Sequence, residues 1–437
     1  MRDISDLRGG KNPEMRELGN PDRTVIIVGP PWPRGGTARV IQSQIDFYRS
    51  RGYKTVLICV PLHWAWGASH HEWPDVETGM EELGADRTAL APIDRWRFRA
   101  ARYTMRIKRL FRDVTALDWI VSTANSAQAP RGLIRALRES RVALVHVNHV
   151  FPLRFAKRLL RQVAPSPENT PVILETHDIQ AHTFEERGHL NPWTRRFDST
   201  QRLVERELSY LEEVKVLVHL SEDDFKFFQE HLPRQKHVLA LPTIDESFIS
   251  AVQTAPNAVA CPIDLLFVGQ RTGANCAAIE WFYETVWPLI AEHRYNVKIV
   301  GQIEMKVRER LPALYQTHKT SFVGTVEELA PYYRAARCVF APMVSGTGIS
   351  IKTIEALALG KPFVGTSKAY RGMPMERIVE AGLQPYDTPR DFADAIVNVL
   401  SEKNHSADAG RRAYAALFSK QAAYVARDRA LSLAIAS

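Results

Sequence analysis

A glycine turn that runs directly into an amphipathic helix restricts the fold of this chain more than any other segment. The segment is Gly346-Thr-Gly-Ile-Ser-Ile-Lys-Thr-Ile-Glu-Ala-Leu-Ala-Leu-Gly-Lys-Pro362. Gly346 and Gly348 tolerate positive φ and let backbone N–H groups approach an anion, and the positive end of the helix dipole lies at the same place. Gly360 and Pro362 end the helix. The pattern predicts an α/β domain with an anion site at the start of this helix.

The helix after the turn carries one lysine and one glutamate, Lys352 and Glu355. These two side chains share a face near the turn, whereas the apolar residues at helical spacing face a core. The apolar residues are Ile351, Ile354, Ala358 and Leu359. A glycine turn with a mobile lysine suits a nucleotide diphosphate. The alternative is an ordinary surface pair of Lys352 and Glu355 in an α/β domain.

Further segments upstream of the turn follow one another in a fixed order. They are Asp264-Leu-Leu-Phe-Val-Gly-Gln-Arg271, Asn275 with Ala278-Ile-Glu-Trp-Phe282, Val297-Lys-Ile-Val-Gly301 and Phe322-Val-Gly-Thr-Val-Glu-Glu-Leu329. Together with Pro342–Thr366 and Tyr370-Arg-Gly372, they resemble the nucleotide-sugar-dependent glycosyltransferases of the GT-B fold, in particular the retaining group called family 4. The resemblance implies an α/β fold with two Rossmann-like domains facing a central cleft, and a C-terminal helix that crosses back to the N-terminal domain.

The resemblance also implies a set of donor-binding residues. In the family, the second of two motif glutamates holds the ribose hydroxyls, and it corresponds to Glu355. The first glutamate is replaced by Thr347, so the chain lacks that carboxylate at this position. The expected donor-binding residues are Gly269, Val326, Gly346, Thr347, Gly348, Ile349, Ser350 and Glu355.

Transfer from a nucleotide sugar requires a diphosphate to leave, so negative charge grows on its oxygens and preorganised positive groups lower the barrier. Arg271 and Lys352 are the expected catalytic cations, assisted by the backbone N–H groups of the turn. On this reading the nucleotide sugar is a substrate, and no cofactor or metal is required. The alternative for Arg271 is a plain surface arginine.

The N-terminal half contains a second α/β unit. Strands are predicted at Thr24–Val28 and Lys54–Val60, with a helix between them from about residue 38 to 49. The glycine loop before this helix resembles the family's loop where donor and acceptor meet, and it provides the acceptor-side residues Gly35, Gly36 and Thr37.

Polar groups follow the later strands of this half, at the sheet edge where ligands bind. His177-Asp178 resembles the family's strand-end histidine, which lies close to the donor sugar. We therefore expect His177 to be catalytic and Asp178 to lie on the acceptor side. The alternative is a satisfied structural histidine, and His146 and Asn148 are weaker candidates.

The predicted domains are a flexible tail (1–22), an acceptor-side Rossmann-like domain (23–245), a linker (246–261), a donor-binding domain (262–405) and a helical segment returning to the first domain (406–437). At 437 residues and 45% hydrophobic, the chain can bury two cores.

The net charge of +8 has a local origin, because eight basic residues and no acidic one lie between Arg95 and Arg112. The basic stripe of a predicted helix consists of Arg95, Arg99, Arg102, Arg106 and Arg109. The adjoining apolar stripe consists of Trp96, Ala100, Tyr103, Ile107 and Leu110. Such a helix suits an anionic membrane surface. The alternative is a helix packed on its domain by the apolar stripe, and nucleic acid is not expected, because no recognised nucleic-acid motif accompanies the charge.

Four scattered cysteines indicate a reducing compartment, and no run reaches the roughly 18 apolar residues of a membrane span. The N-terminus does not read as a signal peptide. We expect a cytoplasmic protein, with possible peripheral contact to the inner face of the cell membrane.

The expected reaction is transfer of a sugar from a nucleotide diphosphate sugar to a saccharide or lipid-linked acceptor, with retention, in polysaccharide or glycoconjugate biosynthesis. Two alternatives stay open. One is a nucleotide-sugar epimerase of the same fold, and the other is a catalytically silent subunit that binds nucleotide or sugar.

Overall fold

The computed structural model describes residues 23–32, 36–62, 73–111, 114–187, 198–256, 262–401 and 405–436. The predicted tail 1–22 and Gly35 lie outside the described residues. The chain divides into two compact units. The first contains the described residues up to Val218, Phe228–Val238 and the residues from Arg427 onward. The second contains His219–Phe227 and Leu239–Ala426.

A seven-stranded sheet forms the centre of the first unit. Its strands are Arg23–Gly29 (β1), Lys54–Cys59 (β2), Arg87–Leu90 (β3), Arg141–Asn148 (β4), Val172–Glu175 (β5), Val216–His219 (β6) and Lys236–Leu239 (β7). The order is β3-β2-β1-β4-β5-β6-β7, and the pairings from β3 to β6 are parallel. β1 is a continuous apolar run because it lies in the middle of a sheet that is covered on both faces. The strand order reverses between β1 and β4, and such a switch point is where open parallel sheets bind ligands.

The helices associated with this sheet are Gly36–Ser50 (α1), Trp73–Glu81 (α2), Arg95–Leu110 (α3), Ala116–Ala124 (α4), Arg131–Glu139 (α5), Leu153–Val163 (α6), Gln180–Arg187 (α7) and Thr200–Leu211 (α8). The next helix, Glu222–His231 (α9), belongs to the first unit from Phe228 onward. The predicted helix of the basic stripe is confirmed as α3. It begins after Asp94, whose carboxylate accepts hydrogen bonds from the backbone N–H groups of Trp96 and Arg97, both at 2.9 Å.

The second unit contains a five-stranded, all-parallel sheet. Its strands are Ile263–Val268 (β8), Val297–Val300 (β9), Phe322–Gly324 (β10), Ala336–Ala341 (β11) and Phe363–Gly365 (β12). The order is β10-β9-β8-β11-β12. The strands predicted from Asp264 to Gly365 are therefore present, and their order reverses between β8 and β11.

The helices of the second unit pack around this sheet and bury one contiguous apolar core. They are Glu246–Thr254 (α10), Gly273–Trp281 (α11), Trp287–Ile290 (α12), Ile303–Arg310 (α13), Pro312–Thr317 (α14), Ala330–Ala335 (α15), Ile351–Ala358 (α16), Met375–Glu380 (α17), Pro389–Ser401 (α18) and His405–Ala413 (α19), with π-helical turns at Phe282–Val286 and Tyr414–Phe418. The last helix is Lys420–Ile435 (α20), which belongs to the first unit from Arg427 onward. Part of the predicted linker forms a helix, α10, because Asp245 caps it and Val252 is buried.

The end of α20 belongs to the first unit. Asp428 accepts two hydrogen bonds from the guanidinium of Arg51, at 2.9 and 2.5 Å. Arg427 is buried, and its Nη1 donates to Ser43 Oγ at 3.1 Å. α20 therefore supplies both charged and buried contacts to this unit. No helix in the described part of the chain is both long and apolar enough to cross a lipid bilayer.

Candidate functional site

The glycine turn lies between β11 and α16, beside the switch point of the second sheet. Gly346 and Gly348 have φ values of 127° and 62°, which are open to glycine and strained for other residues. α16 begins directly after the turn, so the positive end of its dipole lies there. The positive φ values and the helix start are therefore as the sequence pattern predicts, and the anion site itself stays a prediction.

Lys352 lies in the first turn of α16 and reaches residues at the ends of two central strands. Its Nζ donates to Asn275 Oδ1 at 2.6 Å, lies 3.7 Å from Met343 Sδ, and lies 4.1 Å from the centroid of the Phe267 ring. Phe267 is in β8, Met343 follows β11, and Asn275 is in the first turn of α11. Lys352 therefore marks the switch point between β8 and β11.

The ammonium group of Lys352 has an unusual electrostatic environment. Burial, helped by the positive charge of Arg371, lowers its pKa to about 7 against the opposing effect of Glu355. Lys352 can therefore exchange a proton near neutral pH. An anion at the glycine turn would favour the charged form.

Glu355 is buried, and its Oε2 accepts a hydrogen bond from the hydroxyl of Tyr333 at 2.7 Å. Lys352 is half-buried. The alternative of an exposed Lys352–Glu355 pair is therefore wrong. The sequence did not show that Tyr333, one turn before β11, covers this face of α16.

Arg371 is a residue to which the sequence interpretation gave no role. Its Nε donates to the Thr347 carbonyl at 3.1 Å, and its Nη1 donates to the Lys368 carbonyl at 3.0 Å. A Cβ on Gly346 would lie 3.2 to 3.5 Å from its guanidinium atoms. Arg371 therefore supplies a permanent positive charge against the glycine turn. The signal was present in the segment Tyr370-Arg-Gly372, but only its glycine was interpreted.

The other predicted donor residues occupy several environments. Arg271 forms an exposed ion pair with Glu309, Nη2 to Oε1 at 2.5 Å, which is what the surface alternative predicts. Gly269 is required sterically, because a Cβ there would lie 2.7 Å from the Phe267 ring. Val326 is half-buried and packs against the core.

Next to the turn, Ser350 is buried, and its hydroxyl accepts from Thr353 Oγ1 at 2.9 Å. Ile349, before it, is half-buried against the core. These two residues help to hold the turn on α16.

In the first unit, His177 belongs to a buried network of polar side chains at the strand ends. Its Nε2 lies 2.8 Å from Asn148 Oδ1. Asn148 and Gln44 exchange two hydrogen bonds of 2.9 Å, in which Asn148 Oδ1 accepts and Asn148 Nδ2 donates. Because Asn148 Oδ1 only accepts, Nε2 of His177 carries the proton, and Nδ1 is the acceptor atom of the ring.

The ring of His149 lies between His177 and Thr37, which is in the first turn of α1. The two imidazoles stack with centroids 4.0 Å apart and planes 14° from parallel. Thr37 Oγ1 lies 3.4 Å from His149 Nε2. Both histidines have a φ of 64°, which is rare for a residue other than glycine. His149 was missed, although it directly follows Asn148.

A buried carboxylate, Glu175, stabilises this network. Its Oε2 accepts from Gln44 Nε2 at 2.7 Å and lies 3.1 Å from His146 Nε2. Burial alone would raise its pKa, but the hydrogen bond from His146 and the charge of Arg427 hold the pKa at about 2. Burial lowers the pKa of His177 to about 4 against the opposing effect of Glu175. His177 is therefore neutral at pH 7.

The remaining acceptor-side residues are Gly36, which begins α1, and Asp178, whose backbone N–H donates to the Thr176 carbonyl at 2.8 Å. No cluster of three His, Cys, Asp or Glu residues that could hold a metal ion occurs within the described ranges.

Comparison with known proteins gives a family match for the second unit. Residues 262–402 match the family model described as glycosyl transferases group 1. No curated protein matches the chain by sequence.

Solved structures match nearly the whole chain. HepE from Anabaena in complex with UDP is 13% identical, with a TM-score of 0.58 over 94% of this chain and 99% of that one. A glycosyltransferase from Rickettsia africae is also 13% identical, with a TM-score of 0.58 over 94% and 98%. WaaG, a glycosyltransferase of lipopolysaccharide biosynthesis, is 14% identical, with a TM-score of 0.54 over 95% and 100%. At these identities the likeness establishes the fold. The chain has the two Rossmann-like domains of GT-B proteins, and its second unit carries a glycosyltransferase group 1 domain.

Proposed function

We propose that this glycosyltransferase moves a sugar from a nucleoside diphosphate sugar to a saccharide or lipid-linked acceptor, with retention, as in family 4. The observation that carries the proposal is the position of Lys352 and Arg371 against the glycine turn. Two cations and the start of a helix at a switch point form a site for a diphosphate. The UDP in the similar HepE structure and the UDP-glucose in another HepE complex support a donor of this class.

The chemical step requires positive charge where the diphosphate leaves. Arg371 is always charged, and Lys352 has a pKa near 7 before an anion arrives. A bound diphosphate raises that pKa, so Lys352 takes up a proton and is charged when the bond to the sugar breaks. A charge that is positioned in advance in a partly dry site stabilises the transition state more than one in water. No metal is needed for this role.

Glu355 is the proposed partner of the ribose hydroxyls. The hydrogen bond from Tyr333 fixes the orientation of its carboxylate. A buried, oriented carboxylate accepts hydrogen bonds from two neighbouring hydroxyls without losing side-chain entropy on binding. Glu355 would therefore contribute to nucleoside affinity, and Lys352 to diphosphate affinity.

His177 is the proposed contact to the donor sugar, as the resemblance implies. Its neutral ring, with Nε2–H committed to Asn148, offers Nδ1 as an acceptor for a sugar hydroxyl. Arg271 is a weaker candidate for catalysis, because its described contact is with Glu309 at the surface.

We propose that the reaction belongs to polysaccharide or glycoconjugate biosynthesis and takes place at the cytoplasmic side of a membrane.

A second candidate function has a specific observation in its favour. Thr347 stands where the family has a carboxylate, so a silent subunit that binds nucleotide without turnover is the competing function.

The test is a thermal-shift screen against UDP, GDP, ADP and their sugars, followed by assay of nucleotide release from the donor that binds. A ligand that binds only the folded state raises the Tm. We expect a shift with one nucleotide, which is lost in Lys352→Ala and Glu355→Ala and kept in Lys319→Ala, an exposed lysine of the same unit. A shift without any donor turnover, with or without acceptors, would favour the silent subunit, and turnover that yields free sugar products without an acceptor would favour an epimerase.

A further inference from the structure

The described residues of α3 expose an unusual number of large apolar side chains. Exposed fractions are 78% for Trp96, 68% for Tyr103 and 81% for Leu110, and Phe111 at the end of the helix is 78% exposed. Ala100 and Ile107 are also exposed. The whole apolar stripe therefore faces solvent. The alternative, in which this stripe packs α3 on its domain, is wrong.

α3 packs on the first unit by its opposite face. Met105 is its one buried residue, and Phe98 is half-buried. At 100° per residue, these two side chains point roughly away from the apolar stripe. The helix thus has an inner face that holds it on the unit and an outer face of tryptophan, tyrosine and aliphatic side chains.

Positive charges border the apolar stripe. Arg95, Arg99 and Arg106 of the basic stripe are exposed, whereas Arg102 and Arg109 are half-buried. Arg97 and Lys108 are exposed on the other side of the apolar stripe. The guanidinium of Arg99 lies 5.6 Å from the Trp96 ring. The sequence has no acidic residue between Arg95 and Arg112.

We propose that the outer face of α3 docks on an anionic lipid bilayer. Trp96, Tyr103 and Leu110 would lie at the boundary between headgroups and acyl chains, and the flanking arginines would contact lipid phosphates. Amphipathic helices of this composition bind in the plane of the interface, and tryptophan and tyrosine favour that depth.

A bilayer explains the order of groups on this face better than nucleic acid does. The apolar side chains occupy the middle and the cations the edges, so a flat apolar layer covered by anionic groups satisfies both. A nucleic-acid backbone would contact the arginines but would leave the apolar stripe in water, because its phosphates bind through Lys and Arg. The proposal does not depend on sugar transfer, although it would bring a lipid-linked acceptor close to the enzyme.

The test is co-sedimentation of the full chain with phosphatidylcholine vesicles, with and without phosphatidylglycerol, in the absence of nucleotide. We expect binding to the anionic vesicles that weakens as salt is raised. Each arginine near an anionic surface contributes about 1 kcal/mol, so Arg95→Gln/Arg99→Gln/Arg106→Gln should bind on the order of 100-fold more weakly. Trp96→Ser/Tyr103→Ser/Leu110→Ser should also lose binding while keeping the wild-type Tm, because these side chains are exposed.

Matched controls remove the same number of charges or of exposed apolar side chains elsewhere. Arg131→Gln/Arg135→Gln/Arg234→Gln removes three exposed arginines of the same unit, and Leu289→Ser/Val379→Ser/Val425→Ser removes three exposed apolar side chains of the second unit. Both should bind vesicles as the wild type does.

Four results would overturn the proposal. They are no binding to anionic vesicles, equal loss of binding in the charge control, full binding by the apolar variant, and a change from dimer to monomer in the apolar variant during ultracentrifugation. The last would show that the stripe is an interface between two copies. Binding to RNA by the wild type but not the arginine variant, without any vesicle binding, would assign the face to nucleic acid instead.

Discussion

Lys352 holds its ammonium group 4.1 Å from the centroid of the Phe267 ring, at the point where the strand order of the second sheet reverses. The ring face attracts the cation and offsets part of the loss of water around it. Burial nevertheless lowers the pKa of Lys352 to about 7. The charged form of Lys352 is therefore unfavourable in the unliganded fold, and a bound diphosphate would stabilise it. Stability and nucleotide affinity should consequently respond differently to its removal.

Replacing Lys352 by methionine should separate binding from stability. Lys352→Met removes a partly buried charge, so we expect the free energy of unfolding of the unliganded protein at pH 7 to rise by about 1 kcal/mol, as for other apolar replacements of buried ions. The nucleotide-induced rise in Tm should disappear. Thermal unfolding with and without nucleotide measures both effects. Lys319→Met, at an exposed site, should change neither, and a variant that is destabilised yet still binds nucleotide would contradict the assignment.

The pKa of Lys352 predicts two pH dependences. Its folded-state value of about 7 lies below its ordinary value of 10.5, so the unfolded chain binds more protons between these values. The contribution of Lys352 therefore increases the free energy of unfolding as pH rises from 7 to 10.5. Nucleotide affinity should change in the opposite direction, because the diphosphate needs the charged form. Calorimetric titrations from pH 6 to pH 9 in buffers of different ionisation enthalpy should detect proton uptake on binding, and no uptake in Lys352→Met.

Arg371 should contribute to donor affinity through the glycine turn. Arg371→Gln removes the charge beside Gly346 and weakens the hold on the Thr347 carbonyl. A hydrogen bond to a charged group is worth about 1.5–3 kcal/mol, so nucleotide should bind roughly 10- to 100-fold more weakly. Arg377→Gln, an exposed position on α17, is the matched control. Equal nucleotide affinities in Arg371→Gln and Arg377→Gln would show that Arg371 does not contribute to binding.

Asn148 should set the protonation state of His177. In Asn148→Asp a carboxylate replaces the amide oxygen 2.8 Å from His177 Nε2, and negative charge favours the imidazolium. The pKa of His177 should rise from about 4 towards or above its ordinary value of 6.5. Histidine ring signals in an NMR pH titration report this change.

The same variant has a consequence for stability. Because the folded-state pKa of His177 is below the unfolded value, its wild-type contribution lowers the free energy of unfolding as pH falls from 6.5 to 4. Asn148→Asp should weaken this dependence, whereas Asn169→Asp, at an exposed position, should leave both properties unchanged. An unshifted His177 would show that Asn148 does not control its ring.

Sequence periodicity identified the elements well, because parallel strands buried on both faces are continuous apolar runs. The glycine turn was also visible, since positive φ at Gly346 and Gly348 favours glycine. Periodicity was less informative about which side of a helix is covered. For α3 it placed the two stripes, but the packing of Met105 and Phe98 decided that the apolar stripe faces outward.

Long-range contacts explain what the sequence did not show. Arg371 lies beside Gly346 because the chain returns after β12, and the pairing of Arg271 with Glu309 depends on a helix after the next strand. His149 was missed for a similar reason, because the sequence does not show that the His177 ring and Thr37 lie against its ring. The glycine turn was thus visible in the sequence, whereas the contacts of Arg371 and His149 were not.

The burial of Arg427 in the first unit has a consequence for biosynthesis. Glu175 is a carboxylate in a dry network, and Arg427 is one of the charges that keep it ionised. Because domains generally fold from the N-terminus as the ribosome releases them, the first unit must wait for the second to be synthesised before it receives this arginine. A nascent chain that stops before α20 would therefore present chaperones and proteases with an unfinished first domain, even though its whole central sheet had already been translated.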